Sequence, residues 1–132
     1  MGTNGLKQGL IGNAHTQVDR SNVADEIGSG DVEVFSTPAM VALMEAASIQ
    51  CIKPYLHDNE TSVGVRIDVS HLAATPMGMT VRAEAVLENV DGRRLFFRVA
   101  AYDEKEKIGE GAHERVIVQR DRFLARVQAK GS

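Results

Sequence analysis

At 132 residues with 43% hydrophobic content, the chain is sized for one domain with an ordinary core, and a second domain is not expected. A formal net charge of −3, with Lys and Arg scattered among acids, lacks the basic footprint of a nucleic-acid binder. A single cysteine, Cys51, excludes an internal disulfide and any multi-cysteine zinc site, and points to a reduced, cytoplasmic protein.

Residues 1–11 are glycine-rich and read as loose. Met1-Gly2 opens like a myristoylation signal, but Leu6 stands where Ser or Thr belongs, and no long apolar run with a cleavage signal follows. No stretch approaches the ~20 apolar residues of a membrane span. Residues 13–20 alternate weakly and give a first strand. Ser21 then caps a short helical turn that Gly28-Ser29-Gly30 ends, forming a lead-in loop or lid.

The stretch 34–52, VFSTPAMVALMEAASIQCI, reads as the central helix. Thr37 is a good N-cap and Pro38 suits the first helical position, where its missing N–H costs nothing. The helix runs to about Tyr55, with Pro54 near its end. It is apolar on nearly every side, so it is expected to be buried on every side, and Glu45 is its one charge. A carboxylate there must be paired, hydrogen-bonded or facing a cavity, which makes Glu45 the first functional suspect.

From Thr61 the hydrophobic period changes to two. Val63, Val65, Ile67 and Val69 face a core, opposite Gly64, Arg66, Asp68 and Ser70, and the same phase carries His71 to the apolar side. After a turn at Thr75-Pro76-Met77-Gly78 a second strand presents Val81, Ala83, Ala85 and Leu87. Asp91-Gly92 signals a type I′ hairpin. A third strand presents Leu95, Phe97, Val99 and Ala101, residues 103–107 turn the chain, and a fourth runs from Ile108 through Val116 and Val118. The tail RDRFLARVQAK is amphipathic, a short helix or a frayed end, with 124–132 read as loose. The four long strands read as a meander.

A flat sheet cannot cover one helix on all sides, so the sheet must curl around it. The predicted class is α+β: a hotdog fold, about five antiparallel strands wrapped on one long helix. Its exposed edge strand predicts a homodimer or a higher oligomer, in which a site can draw on both chains.

Four segments, VFSTPAMVALMEAAS, VGVRIDVSHLAATPMGMTV, NVDGRRLFFRVAAYDE and IGEGAHERVIV, closely resemble the fluoroacetyl-CoA thioesterase-like branch of the hotdog thioesterases, over roughly 31–118 and in register. The resemblance implies hydrolysis of a small or short-chain acyl-CoA thioester. It places Thr37, Glu45 and His71 on the catalytic Thr, Glu and His of that family, Gly64 on a glycine lining the acyl site, and Arg115 on the Arg of a His-Glu-Arg motif. Residues 21–34 hold no aromatic side chain, so a greasy lid over the site has no counterpart here.

Thioester hydrolysis needs a nucleophile or activated water, a base, and donors aimed at the oxyanion. Glu45 suits the role of base, nucleophile or orienter of His71, and equally an acid salt-bridged at the helix rim. His71 suits proton transfer near neutral pH, or a hydrogen-bonded core position. Thr37 reads as nucleophile, substrate-binding hydroxyl or plain cap. Gly64 allows a backbone N–H to approach an acyl oxygen, or marks a bulge. Arg115 suits a CoA phosphate or a salt bridge to Glu114 or another acid.

His113 reads as a surface or strand position, and the histidines at 15, 57, 71 and 113 make no metal motif, so neither metal nor cofactor is expected beyond the CoA of the substrate. Alternative functions are a hotdog hydratase or dehydratase on acyl-CoA, and a non-catalytic acyl-CoA-binding module. For the hydratase, Asp68 and His71 fall on opposite faces of their strand.

Overall fold

The computed structural model describes residues 5–132; the Met1-Gly2 start lies outside the described residues. The elements in order are β1 (Ile11–Gln17), α1 (Ala24–Ile27), α2 (Thr37–Ile52, extended by a 3₁₀ turn Lys53–Tyr55), β2 (Glu60–His71), β3 (Thr80–Asp91), β4 (Arg94–Tyr102), β5 (Lys107–Gln119) and α3 (Arg120–Lys130). The five strands form one antiparallel sheet in the order β1-β3-β4-β5-β2. It curls around α2 in the hotdog architecture.

Helix α2 is covered on one face, where its apolar residues meet strands, and not on every side as the sequence implied: Ala42, Ala46, Ile49 and Gln50 stay exposed, Ile49 at 42%. Met40, Leu43, Met44, Ala47, Cys51 and Ile52 are buried, and the Ser48 hydroxyl satisfies itself on the Met44 carbonyl at 3.0 Å. Strand β1 comes close enough to touch the helix backbone only through Gly12, where a Cβ would lie 2.2 Å from the Ala47 carbonyl oxygen. Burial pushes the Cys51 thiol pKa up, away from a reactive thiolate, so the cysteine packs as a small apolar side chain.

The cap of α2 differs from the sequence reading. Ser36, extended at φ −82° and ψ 151°, is the N-cap, and its Oγ accepts from the Ala39 N–H at 3.2 Å. Thr37 is therefore the first helical residue, with Pro38 second, and its hydroxyl is not the helix cap. Two adjacent hydroxyl residues were both eligible; the position three before Ala39 won, because a cap bonds the third N–H of the helix.

Strands β3 and β4 keep the predicted phase, burying Val81, Ala83, Ala85 and Leu87 on one and Leu95, Phe97, Val99 and Ala101 on the other. Their hairpin is shifted by one residue from the expected turn. Asp91 pairs with Arg94, so Gly92 and Arg93 are the central residues, and only Gly92 has positive φ (63°). That is a type II′ pattern with Gly first, not type I′.

The meander holds for β3, β4 and β5 only. Strand β2 pairs with β5 at the far edge of the sheet. Its connection to β3 is no hairpin: Leu72 N–H bonds Ile108 O (2.7 Å), Phe35 N–H bonds Thr75 O (2.9 Å), and Gly78 N–H bonds Val18 O (2.8 Å). These contacts carry the chain across the end of the sheet, and the buried Thr75 hydroxyl ties the crossing to Asp103 at 2.8 Å.

Two strand faces also differ from their apolar pattern. In β5 the residues turned towards α2 are His113, Arg115 and Ile117, all buried, while Val116 and Val118 face outwards. In β2 a bulge at Val65, between the pairs Gly64–Arg115 and Arg66–Glu114, reverses the alternation half-way. Ser62 and Gly64 thus share the helix side with Ile67, Val69 and His71, and Val63 and Val65 do not. Val65 stays 52% exposed and Ile67 38%, on an edge strand with no neighbour beyond it among the described residues.

Helix α3 leaves β5 directly and is tied to the start of β2 by Arg120 N–H on Asn59 O at 2.7 Å. The tail is thus helical to Lys130, with none of its residues buried. No helix among the described residues is long and apolar enough to cross a membrane.

Candidate active site

The five residues singled out by sequence fall into two groups in one protomer. The first sits where α2 begins. The extended lead-in 34–36 is held against the β2–β3 crossing by the Phe35–Thr75 hydrogen bond and a bridge between Val34 and Pro76. This sets the first residue of α2 beside the last residue of β2, and Thr37 Oγ1 lies 2.7 Å from His71 Nδ1. A cavity of about 350 Å³ opens over the pair, walled by Ala24, Val34, Phe35, Leu72 and Ala73.

Burial lowers the pKa of His71 from its ordinary 6.5, favouring the neutral imidazole. The Ala73 backbone opposes this in part but makes no hydrogen bond of normal geometry. Nε2 is the buried side-chain polar atom without a partner among the described residues. An imidazole whose Nδ1 accepts from Thr37 carries its proton on Nε2, so this orphan is a donor awaiting an acceptor. At the helix start, Pro38 has no N–H, Ala39 N–H is taken by the cap, and Met40 N–H bonds Ser36 O at 3.0 Å. Among the described residues Thr37 N–H makes no hydrogen bond, and it lies at the positive end of the dipole.

The second group lies two turns further along α2. Eight residues separate Thr37 from Glu45, about 12 Å of helix rise. The single acid is not buried as the sequence implied: its side chain is 39% exposed, because it stands on the rim of α2 facing the edge strand. Its Oε2 lies 3.4 Å from Arg115 Nη1 and 4.0 Å from His113 Nε2. Gly64 is across from it; a Cβ there would come within 2.7 Å of Glu45 Oε2. A second cavity, about 220 Å³, is lined by Glu45, Gly64, Val65, Arg66, Ile67 and His113.

Arg115 is 5% exposed and spends its donors inside the protein: Nε on Ser62 Oγ (2.8 Å) and Nη2 on Ser62 O (3.1 Å). Burial works against its charge, and Glu45 offsets part of that. A guanidinium so enclosed is not a phosphate clamp at the surface; its acid is Glu45, while Glu114 pairs with Arg94 at 2.8 Å. His113 and Ser62 belong to this group and were missed in the sequence, because polar residues on an alternating strand read as solvent-facing. The His-x-Arg spacing, which puts both on one strand face, was the signal available.

Asp68 pairs with Ala112 and His71 with Gly109, on opposite faces as expected. Among the described residues no three of His, Cys, Asp and Glu come together in a way that would hold a metal ion.

The profile of the family described as fluoroacetyl-CoA-specific thioesterase matches residues 18–121. The chain belongs to the fluoroacetyl-CoA-specific thioesterase family. A fluoroacetyl-CoA thioesterase from Streptantibioticus cattleyicolor is 48% identical over 98 residues, covering 74% of this chain and 70% of the relative. A solved structure of the fluoroacetyl-CoA thioesterase FlK superposes with a TM-score of 0.90 at 38% identity, covering 96% of this chain and 98% of the other. Another, a threonine-to-serine variant of FlK in complex with acetyl-CoA, gives 0.90 at 36% identity over 96% and 100%. The hotdog fold and the thioesterase family expected from the sequence are both confirmed.

Proposed function

We propose that the protein hydrolyses a small acyl-CoA thioester to the free acid and CoA, as a cytoplasmic homodimer in which each site joins Thr37 and His71 of one protomer to Glu45, Gly64 and Arg115 of the other. The observation that carries the reading is the 2.7 Å contact between Thr37 Oγ1 and His71 Nδ1, a hydroxyl and a neutral base at hydrogen-bond distance in a cavity.

Unprotonated Nδ1 accepts the proton of Thr37, or of a water held by it, as that oxygen adds to the thioester carbonyl. The carbonyl oxygen gains charge beside the free Thr37 N–H at the helix start. Collapse breaks the C–S bond, and the thiolate leaves with the proton from His71 as CoA thiol. Where Thr37 is the attacker, water then hydrolyses the threonyl ester on the same base. None of these steps needs a metal or a redox cofactor.

The composite arrangement follows from the edge strand. The twelve-residue strand β2 turns the backbone groups of about every other residue to its free edge, beside exposed Val65 and Ile67, and a second β2 would cover them. Antiparallel pairing about a two-fold axis lays the His71 end of one strand along the Gly64 half of the other. It thereby brings the orphaned His71 Nε2 towards Glu45 of the partner subunit, the acceptor that none of the described residues of its own chain supplies.

Thiol release from acetyl-, fluoroacetyl-, propionyl- and butyryl-CoA tests the activity. Turnover that falls with acyl length is expected, and the absence of turnover on every member would refute it.

A further inference from the structure

His113 has no part in the steps above, yet both its ring nitrogens are committed. It is 2% exposed, with its ring stacked 6.1 Å from that of Phe97. Nδ1 lies 2.7 Å from the Arg66 carbonyl, beside the bulge at Val65. A carbonyl only accepts, so Nδ1 carries the proton, and in a neutral imidazole Nε2 is then an acceptor. Arg115 Nη1, 3.2 Å from Nε2, is the donor that fills it. Burial lowers the proton affinity of His113 and Arg115 lowers it further, against the Arg66 carbonyl, Glu45 and Glu114, so the ring stays neutral.

We propose that His113 is a positioning residue for the acyl site: the bulge carbonyl of Arg66 fixes its tautomer, and Nε2 then locks the Arg115 guanidinium in the orientation that faces Glu45 and Gly64. The inference rests on the reading of Glu45 and Arg115 as site residues. Ser62 holds the Nε and Nη2 side of the guanidinium, but among the described residues Nη1, the nitrogen nearest Glu45, has only Glu45 at 3.4 Å and His113 at 3.2 Å. Glu45 is half-exposed and free to swing, so the fixed member of that pair is His113. The same ring also explains why Gly64 must be bare, since a Cβ there would stand 3.2 Å from His113 Cε1.

Two substitutions separate the nitrogens. His113→Asn can still donate to the Arg66 carbonyl but offers nothing at the Nε2 position; His113→Gln can place its carbonyl oxygen near Nε2 but loses the bulge contact. We expect kcat/KM to fall about tenfold or more in the Asn variant, and to recover to within about threefold of wild type in the Gln variant. The thermal midpoints of the two should not follow that order. Two results overturn the proposal: an Asn variant as active as wild type, or losses in both variants that simply track their midpoints.

A readout without substrate accompanies the kinetics. In ¹⁵N spectra His113 should show the shifts of a neutral Nδ1–H ring, and the slowly exchanging Arg115 guanidinium signals should persist in the Gln variant and average out in the Asn variant. Identical Arg115 signals in both variants reject the positioning role even if no acyl-CoA is turned over, whereas an inactive wild type with the expected spectra rejects only the thioesterase reading.

Discussion

Gly64→Ala removes function without removing fold, and the distances show why. The new Cβ would lie 2.7 Å from Glu45 Oε2, 3.2 Å from His113 Cε1 and 3.3 Å from Arg115 Nη1. Ordinary contact starts near 3.4 Å, so the Glu45 carboxylate must retreat by about 0.7 Å. Its bond to Arg115 is already at 3.4 Å and does not survive that shift. The stability cost is small, because a 39% exposed carboxylate swings into water and an ion pair of that exposure contributes at most about 1 kcal/mol.

Gly64 has no positive φ, so alanine brings no backbone strain and instead restricts the unfolded chain by roughly 0.4–1 kcal/mol. The net change should stay within about 1 kcal/mol, a midpoint shift of no more than about 3–5 °C. Misplacing the acid and its guanidinium together should reduce kcat/KM about 100-fold, the scale of losing one preorganised polar contact. Thiol release read with a thiol-reactive chromogen, beside a calorimetric scan, checks both. An alanine variant with wild-type kcat/KM would show that the glycine only eases the curl of β2.

The helix start separates structure from chemistry in adjacent residues. Ser36→Ala should lower stability by about 1 kcal/mol, the usual cost of a lost N-cap, with turnover nearly unchanged, while Thr37→Ala should do the reverse; matched losses of both kinds in both variants would refute the division. Denaturation midpoints should be pH-dependent in a definite direction. His71 and His113 both have folded pKa values below 6.5, so the unfolded chain takes up their protons first. Stability is then full above about pH 6.5 and falls as pH drops through the folded values.

How far the sequence carried depended on what each buried face is made of. Strands β3 and β4 bury apolar residues in strict alternation, and α2 buries Met40, Met44 and Ala47, so their period was readable and their placement followed. Strands β2 and β5 invert that rule over part of their length, because the face they turn to the helix carries His113, Arg115, Ser62 and Gly64 while Val63, Val65, Val116 and Val118 face outwards. The inversion is the site itself: a pocket needs polar groups inside, and pattern reading assigns such groups to solvent.

The bulge at Val65 compounded this, since one extra residue exchanges the faces and leaves no mark on composition. The crossing of β2 to the far edge was hidden by a turn-like Thr75-Pro76-Met77-Gly78, whose hydrogen bonds go to Val18, Phe35 and Asp103 rather than back along the strand. Thr37 and Ser36 were indistinguishable as caps by residue type. Only the geometry freed the Thr37 hydroxyl for His71.

The central claim is that one chain supplies Thr37 and His71 and the other supplies Glu45. Subunit exchange between inactive His71→Ala and Glu45→Gln proteins tests it most directly. In the composite site, a mixed dimer carries both substitutions in one site and none in the other. An equal mixture after random exchange should therefore regain about one quarter of wild-type thiol release. No recovery, with exchange confirmed by mass spectrometry of the intact dimers, would place all three residues at work within a single protomer and contradict the account.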